Sequence, residues 1–219
     1  MKYKDGFKRY LSVMAKIGQE CAELRINNKC SESDKRLKIF YGFMEISKTL
    51  DSLKLNYKFM RLSAPKSVKE SKYIEYHFFV YLQEVYSLKE KIISYLNVIQ
   101  KLFTKKIKSN KQEIENNFKP LFELVSDSLD NLTDIRNSHI HQKTYMENDL
   151  SWSLNYDFLK NLGYSEYKDM ANISNKKTRL KYKNILKTNC KNINQMINMY
   201  FSLLVDSDLI NVILTDDKK

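Results

Sequence analysis

The stretch "YIEYHFFVYLQEVYSLKEKIISYLNVIQKLF", Tyr73 to Phe103, decides the fold class. Within it Ile74, Phe78, Tyr81, Val85, Leu88, Ile92, Leu96, Ile99 and Phe103 recur every three or four residues, the period of a helix with one apolar side. At 1.5 Å of rise per residue this helix is roughly 45 Å long. An apolar stripe of that length needs helices of similar length to cover it, so the segment reads as the spine of a helical bundle.

Working outward, Phe7 to about Ile26 forms a first helix with Leu11, Met14, Ile17, Cys21 and Leu24 inside. Ser31 or Ser33 can cap a second, which runs to about Met60 and carries Leu37, Phe40, Phe43, Ile46 and Leu50. Beyond the spine, a fourth helix begins near Ser109 and is interrupted or restarted at Pro120, because proline is disruptive in a helix interior. Phe122, Val125, Leu129 and Leu132 form its stripe. A last helix spans about Asn175 to Leu204 around Ile185, Ile193, Met196, Tyr200 and Leu204, and the terminal "DDKK" frays. The residues between Thr144 and Asn175 have mixed periodicity and read as an ordered but irregular insertion with short helical turns. The aromatics Tyr145, Trp152, Tyr156, Phe158, Tyr164 and Tyr167 are read there as packing rather than as a base-stacking platform.

The expectation is an all-α, up-and-down helical bundle of about five long helices with an irregular insertion before the last. It forms a single domain over residues 1–219: an N-terminal helical pair (1–64), a core bundle (70–205) and a frayed tail (205–219).

Composition agrees. Four Gly and two Pro leave few of the turn residues that all-β folds consume, and a 42% hydrophobic, 12% aromatic chain has the material for a core. Cys21, Cys30 and Cys190 are odd in number and far apart, with no pair spaced to hold zinc or run redox chemistry. No run of eighteen apolar residues occurs and the first residues are charged throughout, so the expectation is a soluble, cytoplasmic protein without a leader or membrane partner. The formal charge of +12 favours phosphate-bearing partners if it is concentrated on one face. Abundant Lys, Asn and Ile also follow from AT-rich coding, and a solvated basic surface explains the charge equally well.

The one chemically dense segment is "DIRNSHIHQ", Asp134 to Gln142. On a helix His139 and His141 point about 200° apart and cannot serve one site. His139, four residues after Ile135, continues the apolar stripe and reads as structural. His141 lies on the opposite side, one turn from Asn137, and Arg136 is long enough to reach the same rim. A coincidence of exposed polar residues remains an equal reading. His77, among the aromatics of "YIEYHFF", reads as structural.

The segment "RNSHIH" resembles the R-x4-6-H signature of the HEPN superfamily (higher eukaryotes and prokaryotes nucleotide-binding domains), in which a polar residue, often Asn, follows the arginine. The context is also similar, a motif ending one helix of an all-α bundle and preceded by a long helix, and the likeness extends over roughly residues 70–205. Many families with this motif are metal-independent, homodimeric endoribonucleases, often toxins of toxin–antitoxin pairs or antiviral effectors. The resemblance implies Arg136 and His141 as the catalytic pair, Asn137 as a phosphate-orienting companion, RNA as substrate and no cofactor. It further implies a composite dimer site and an antitoxin or nucleotidyltransferase as a partner. Control by modification of a tyrosine two residues after the motif histidine is in doubt, since that position is Lys143, with Tyr145 nearby. Glu84 is a further candidate, because acidic residues on the corresponding helix can approach the motif; a solvated glutamate is the reading its own position favours. The alternatives are a HEPN module without catalysis that binds RNA, a nucleotide or a protein, and a helical interaction protein unrelated to nucleic acid.

Overall fold

A computed structural model describes residues 5–27, 34–107, 111–141 and 148–215, with the side chains of 111, 113 and 138–141 outside that description. These residues are all-α, with seven helices and no strand among them. In chain order they are α1 (Gly6–Ile26), α2 (Lys35–Met60), α3 (Glu70–Lys106), α4 (Lys111–His141), α5 (Asn148–Asn161), α6 (Lys168–Asp206) and α7 (Leu209–Leu214), with a 3-10 turn at Ser165–Tyr167. Of these, α1 to α4 and α6 are each 21 residues or longer. No helix among the described residues is long and apolar enough to cross a membrane.

The expected spine stripe is buried along α3 from Ile74 through Val85 and Leu96 to Phe103, with Phe78 half-buried. Three expectations are corrected. The helix α4 continues through Pro120, whose ring is exposed; Ile114, Phe118 and Leu121 are buried on both sides of it, and Phe118 lies edge-on to Phe103 at 5.9 Å. Apolar anchoring on either side of the proline holds the helical path although one backbone bond is lost. The insertion is not irregular but contains the 14-residue α5, and α6 begins at Lys168 rather than Asn175. The tail contains α7, which buries Leu209, Ile210 and Ile213 behind a left-handed Asp208 (φ 56°). "DDKK" lies outside the described residues.

The chain divides into two compact units. Unit 1 comprises Met1–Thr49, Leu88–Leu129 and Asn192–Lys219. Its core is aromatic: Tyr10, Phe43, Tyr95, Tyr200 and Phe201 are at most 2% exposed, with the Tyr10 and Phe201 rings 4.6 Å apart. The hydroxyls of Tyr10 and Tyr95 hydrogen-bond to each other, which satisfies two polar groups that burial would otherwise strand. Burial pushes both phenol pKa values well above the ordinary range. Gly42 lies against this core, where a Cβ would fall 2.5 Å from Cδ2 of Tyr95. Alanine would improve helix propensity by up to about 1 kcal/mol. Because the Tyr95 ring is buried and would have to shift, Gly42→Ala is instead expected to destabilise by roughly 1–3 kcal/mol, measured as a lower urea midpoint.

Unit 2 comprises Leu50–Ser87 and Asp130–Lys191. Part of its core is conventional, with Met60, Ile74, Tyr81, Val85 and Leu186 buried and Phe78 edge-on to Tyr182 at 4.6 Å. The seam between α5 and α6 is different. The helix α5 buries Leu150, Ser153 and Asp157, whereas Trp152 and Phe158 are 56% and 58% exposed. Ser153 Oγ bonds both Ser174 Oγ and Thr178 Oγ1 at 2.8 Å, and Thr178 Oγ1 donates to the Asp149 carbonyl at 3.1 Å. At the rim, hydrogen bonds from Lys181 and then Lys177 hold the Asp149 carboxyl below its usual range. Asp157 accepts from the Ser71 backbone N–H at 3.2 Å, from Ser71 Oγ at 2.5 Å and from Asn175 Nδ2 at 2.9 Å. One carboxylate from α5 thereby satisfies an otherwise orphaned donor in the first turn of α3.

Candidate functional site

The helix α4 continues unbroken through the motif to His141. Along an ideal helix Arg136 and His141 are separated by about 7.5 Å of rise and about 140°. Arg136 is half-buried in unit 2 and held from three directions. Its Nε and Nη2 both donate to Oε1 of Gln83, at 3.3 and 3.2 Å, and its Nη1 donates to Oδ1 of Asn137 at 2.9 Å. Its guanidinium carbon lies 4.2 Å from the centre of the Tyr86 ring, in cation–π range.

A guanidinium has five N–H donors, and these bonds use three. One N–H remains on each of Nη1 and Nη2 as a donor that no described protein atom uses. Asn137 uses its oxygen on Arg136 and keeps its NH2 for a ligand. Of the expected site residues, the described side chains are those of Arg136 and Asn137, which bond each other. Gln83 and Tyr86, one turn apart on α3, are the residues it missed. Glu84, next to Gln83, is half-buried. The side chains of His139 and His141 lie outside the described residues, as do Lys143 and Tyr145 entirely, so the roles expected of them are carried by the sequence.

If Gln83 orients Arg136, Gln83→Leu should leave the fold intact and free the guanidinium to rotate. The expected result is about a tenfold or greater loss of the activity proposed below, with a change in melting temperature of only a few degrees. Side-by-side turnover and thermal unfolding check it.

His77 has the structural role expected of it. The ring is half-buried among Phe59, Tyr73 and Tyr76, whose centroids lie at 5.5, 4.4 and 5.3 Å, and Nδ1 is 3.5 Å from Asn56 Oδ1. Burial first, and the Arg179 charge second, lower its pKa from 6.5. The unfolded chain therefore binds this proton more readily, and stability is full above the unfolded value and falls as pH drops through it. Urea midpoints should decline as pH falls below about 6.5, and His77→Gln should flatten that part of the profile.

Compared with known proteins, the chain matches no family model, no curated protein and no solved structure. The functional reading therefore rests on the residues.

Proposed function

We propose that the chain is a metal-independent endoribonuclease of the HEPN type, acting as a homodimer with Arg136 and His141 of each copy around a shared cleft. The observation that carries this reading is the Arg136 clamp. An arginine with its stem half-buried, three donors anchored and two unused is organised before a phosphate arrives, which is where electrostatic catalysis gains most. The all-α architecture and the long helix preceding the motif helix add support.

In the proposed reaction a neutral imidazole removes the 2′-OH proton and the 2′-oxygen attacks phosphorus. The bond to the 5′-oxygen breaks as a protonated imidazole delivers a proton to that leaving group. Arg136 neutralises charge on the pentacoordinate centre and the Asn137 amide orients a phosphate oxygen. The products carry 2′,3′-cyclic phosphate and 5′-hydroxyl ends. One His141 per chain supplies one of the two proton transfers, so the second comes from a second copy of the chain. A basic chain of this kind fits a toxin or defence effector held in check by an antitoxin or a modifying partner.

A catalytically silent module that binds RNA through the same residues is the second reading. It is favoured by the three anchoring bonds of Arg136, which also make sense for a purely positioned phosphate clamp. Labelled structured RNA incubated in EDTA separates the two. Cleavage leaving cyclic-phosphate ends supports the nuclease. Binding that weakens steeply with salt but never cuts supports the module, and binding that vanishes near physiological salt removes both.

A further inference from the structure

Unit 2 contains a cleft of about 750 Å³ whose wall shares no residue with the Arg136 clamp. That volume is in the range that holds a small organic ligand. Three segments form it: the loop before α3 (Ser63 to Lys69), the C-terminal part of α5 and the N-terminal half of α6. On α6 the residues Asn172, Asn175, Lys176 and Arg179 are spaced as one helical face.

The wall holds five cations, Lys66, Lys69, Lys160, Lys176 and Arg179, against two carboxylates, Glu70 and Asp157, a formal excess of three positive charges. Both carboxylates are already engaged by the protein. Asp157 accepts from Ser71 and Asn175, while Glu70 accepts from the Ala64 N–H at 3.2 Å and pairs with Arg179. Among the described residues none of the four lysines forms an ion pair.

Two buried groups beneath this wall have hydrogen-bonding capacity that no protein atom uses. The Arg179 side chain is 16% exposed and fixed, with its guanidinium 5.4 Å from the centre of the Tyr73 ring. Its Nε is in ion-pair range of Glu70 Oε1 but not well directed for a hydrogen bond, and buried Nη1 and Nη2 have no acceptor. Asn175 is 6% exposed, and its Nδ2 is spent on Asp157 while its Oδ1 has no donor. Leaving such groups unsatisfied is costly, and more so where they are charged.

From this complement we infer that the cleft binds a small phosphate ester bearing hydroxyl groups, with the phosphate on the lysines, over the buried Arg179 charge, and the hydroxyls on the polar lining. The polar lining of Ser63, Ser67, Asn161 and Asn172 suits a polyhydroxylated body better than an apolar one. A sugar phosphate and the ribose phosphate of a nucleotide both present this chemistry.

Calorimetric titration of the full chain with ribose 5-phosphate, inorganic phosphate and ribose tests the assignment, with adenosine 5′-monophosphate as a fourth arm to separate the two sources. Ribose 5-phosphate is expected to bind with a Kd below about 1 mM and at least about tenfold tighter than inorganic phosphate, with ribose silent. Lys160→Glu combined with Lys176→Glu, both exposed and outside the core, should weaken it by about a hundredfold, while Lys101→Glu, exposed in unit 1 and not part of the wall, leaves it unchanged. Arg179→Gln should weaken it too, and the exposed-lysine pair keeps the test valid if that variant unfolds. No heat with ribose 5-phosphate, equal affinity for inorganic phosphate, or a loss shared by Lys101→Glu would each overturn the assignment. RNA cleavage is read separately, so this outcome and that of the nuclease proposal do not depend on each other.

Discussion

His141→Ala and Arg136→Ala are each expected to lower metal-independent RNA cleavage by about three orders of magnitude. For His141 the loss is that of a proton-transfer group, and the double variant should be scarcely worse than either single one because the residues act on the same transition state. For Arg136 the loss has two parts, the charge facing the phosphate and the fixed geometry supplied by Gln83, Asn137 and Tyr86. Arg136→Lys separates them. Lysine keeps the charge but not the planar fork, so it cannot reproduce the paired donation to Gln83, and it should remain impaired by about a hundredfold. Quantifying cyclic-phosphate product in EDTA, with melting temperatures of all five proteins, decides the matter. Equal cutting by wild type and variants would assign the nuclease activity to a contaminant or to other residues.

Asp157→Ala is expected to carry the largest stability cost, roughly 3–5 kcal/mol, because it leaves two or three buried donors unsatisfied at about 1–3 kcal/mol each. The stranded groups are the Ser71 N–H, the Ser71 hydroxyl and the Asn175 amide, on residues no more than 6% exposed. D157N should be far milder, near 1 kcal/mol. The new amide oxygen can still accept from Ser71, and a flip of Asn175 turns its unused Oδ1 toward the new amide nitrogen. Urea unfolding of both variants measures the difference. Similar losses for the two would mean that the carboxylate charge, not its hydrogen-bond count, secures the start of α3.

Helices α1 to α4 and the body of α6 were legible from apolar residues recurring at helical period, and the all-α class followed from them, although Leu11, expected inside α1, is 46% exposed and Tyr10 is buried in its place. The 14 residues of α5 were not. The inward face of that helix is Leu150, Ser153 and Asp157, while Trp152 and Phe158 face out, so the hydropathy pattern that marks a helix is largely inverted. At α7 the punctuation was missing: the left-handed turn at Asp208 is made by a residue that tolerates it, without the glycine that would mark the break. Pro120 gave a stop signal that the packing of Ile114 and Phe118 overrides. Arg136 and Asn137 were singled out by a local motif. Gln83 was not, although its neighbour Glu84 drew attention, because the choice between them depends on the rotational phase of α3 against α4, which neither helix encodes alone.

The polar seam under α5 has a consequence for how that helix can move. An apolar contact degrades gradually, since a leucine sliding by an ångström still touches something greasy. The lattice of Ser153, Ser174, Thr178, Asp157 and Asn175 has no such tolerance: a one-residue slip would swap Ser153 for Trp152 and Asp157 for Tyr156 and break every bond in it. Docking of α5 is therefore a lock with one key position. The helix is either seated in register or released as a unit, and partial seating has no free-energy minimum to occupy.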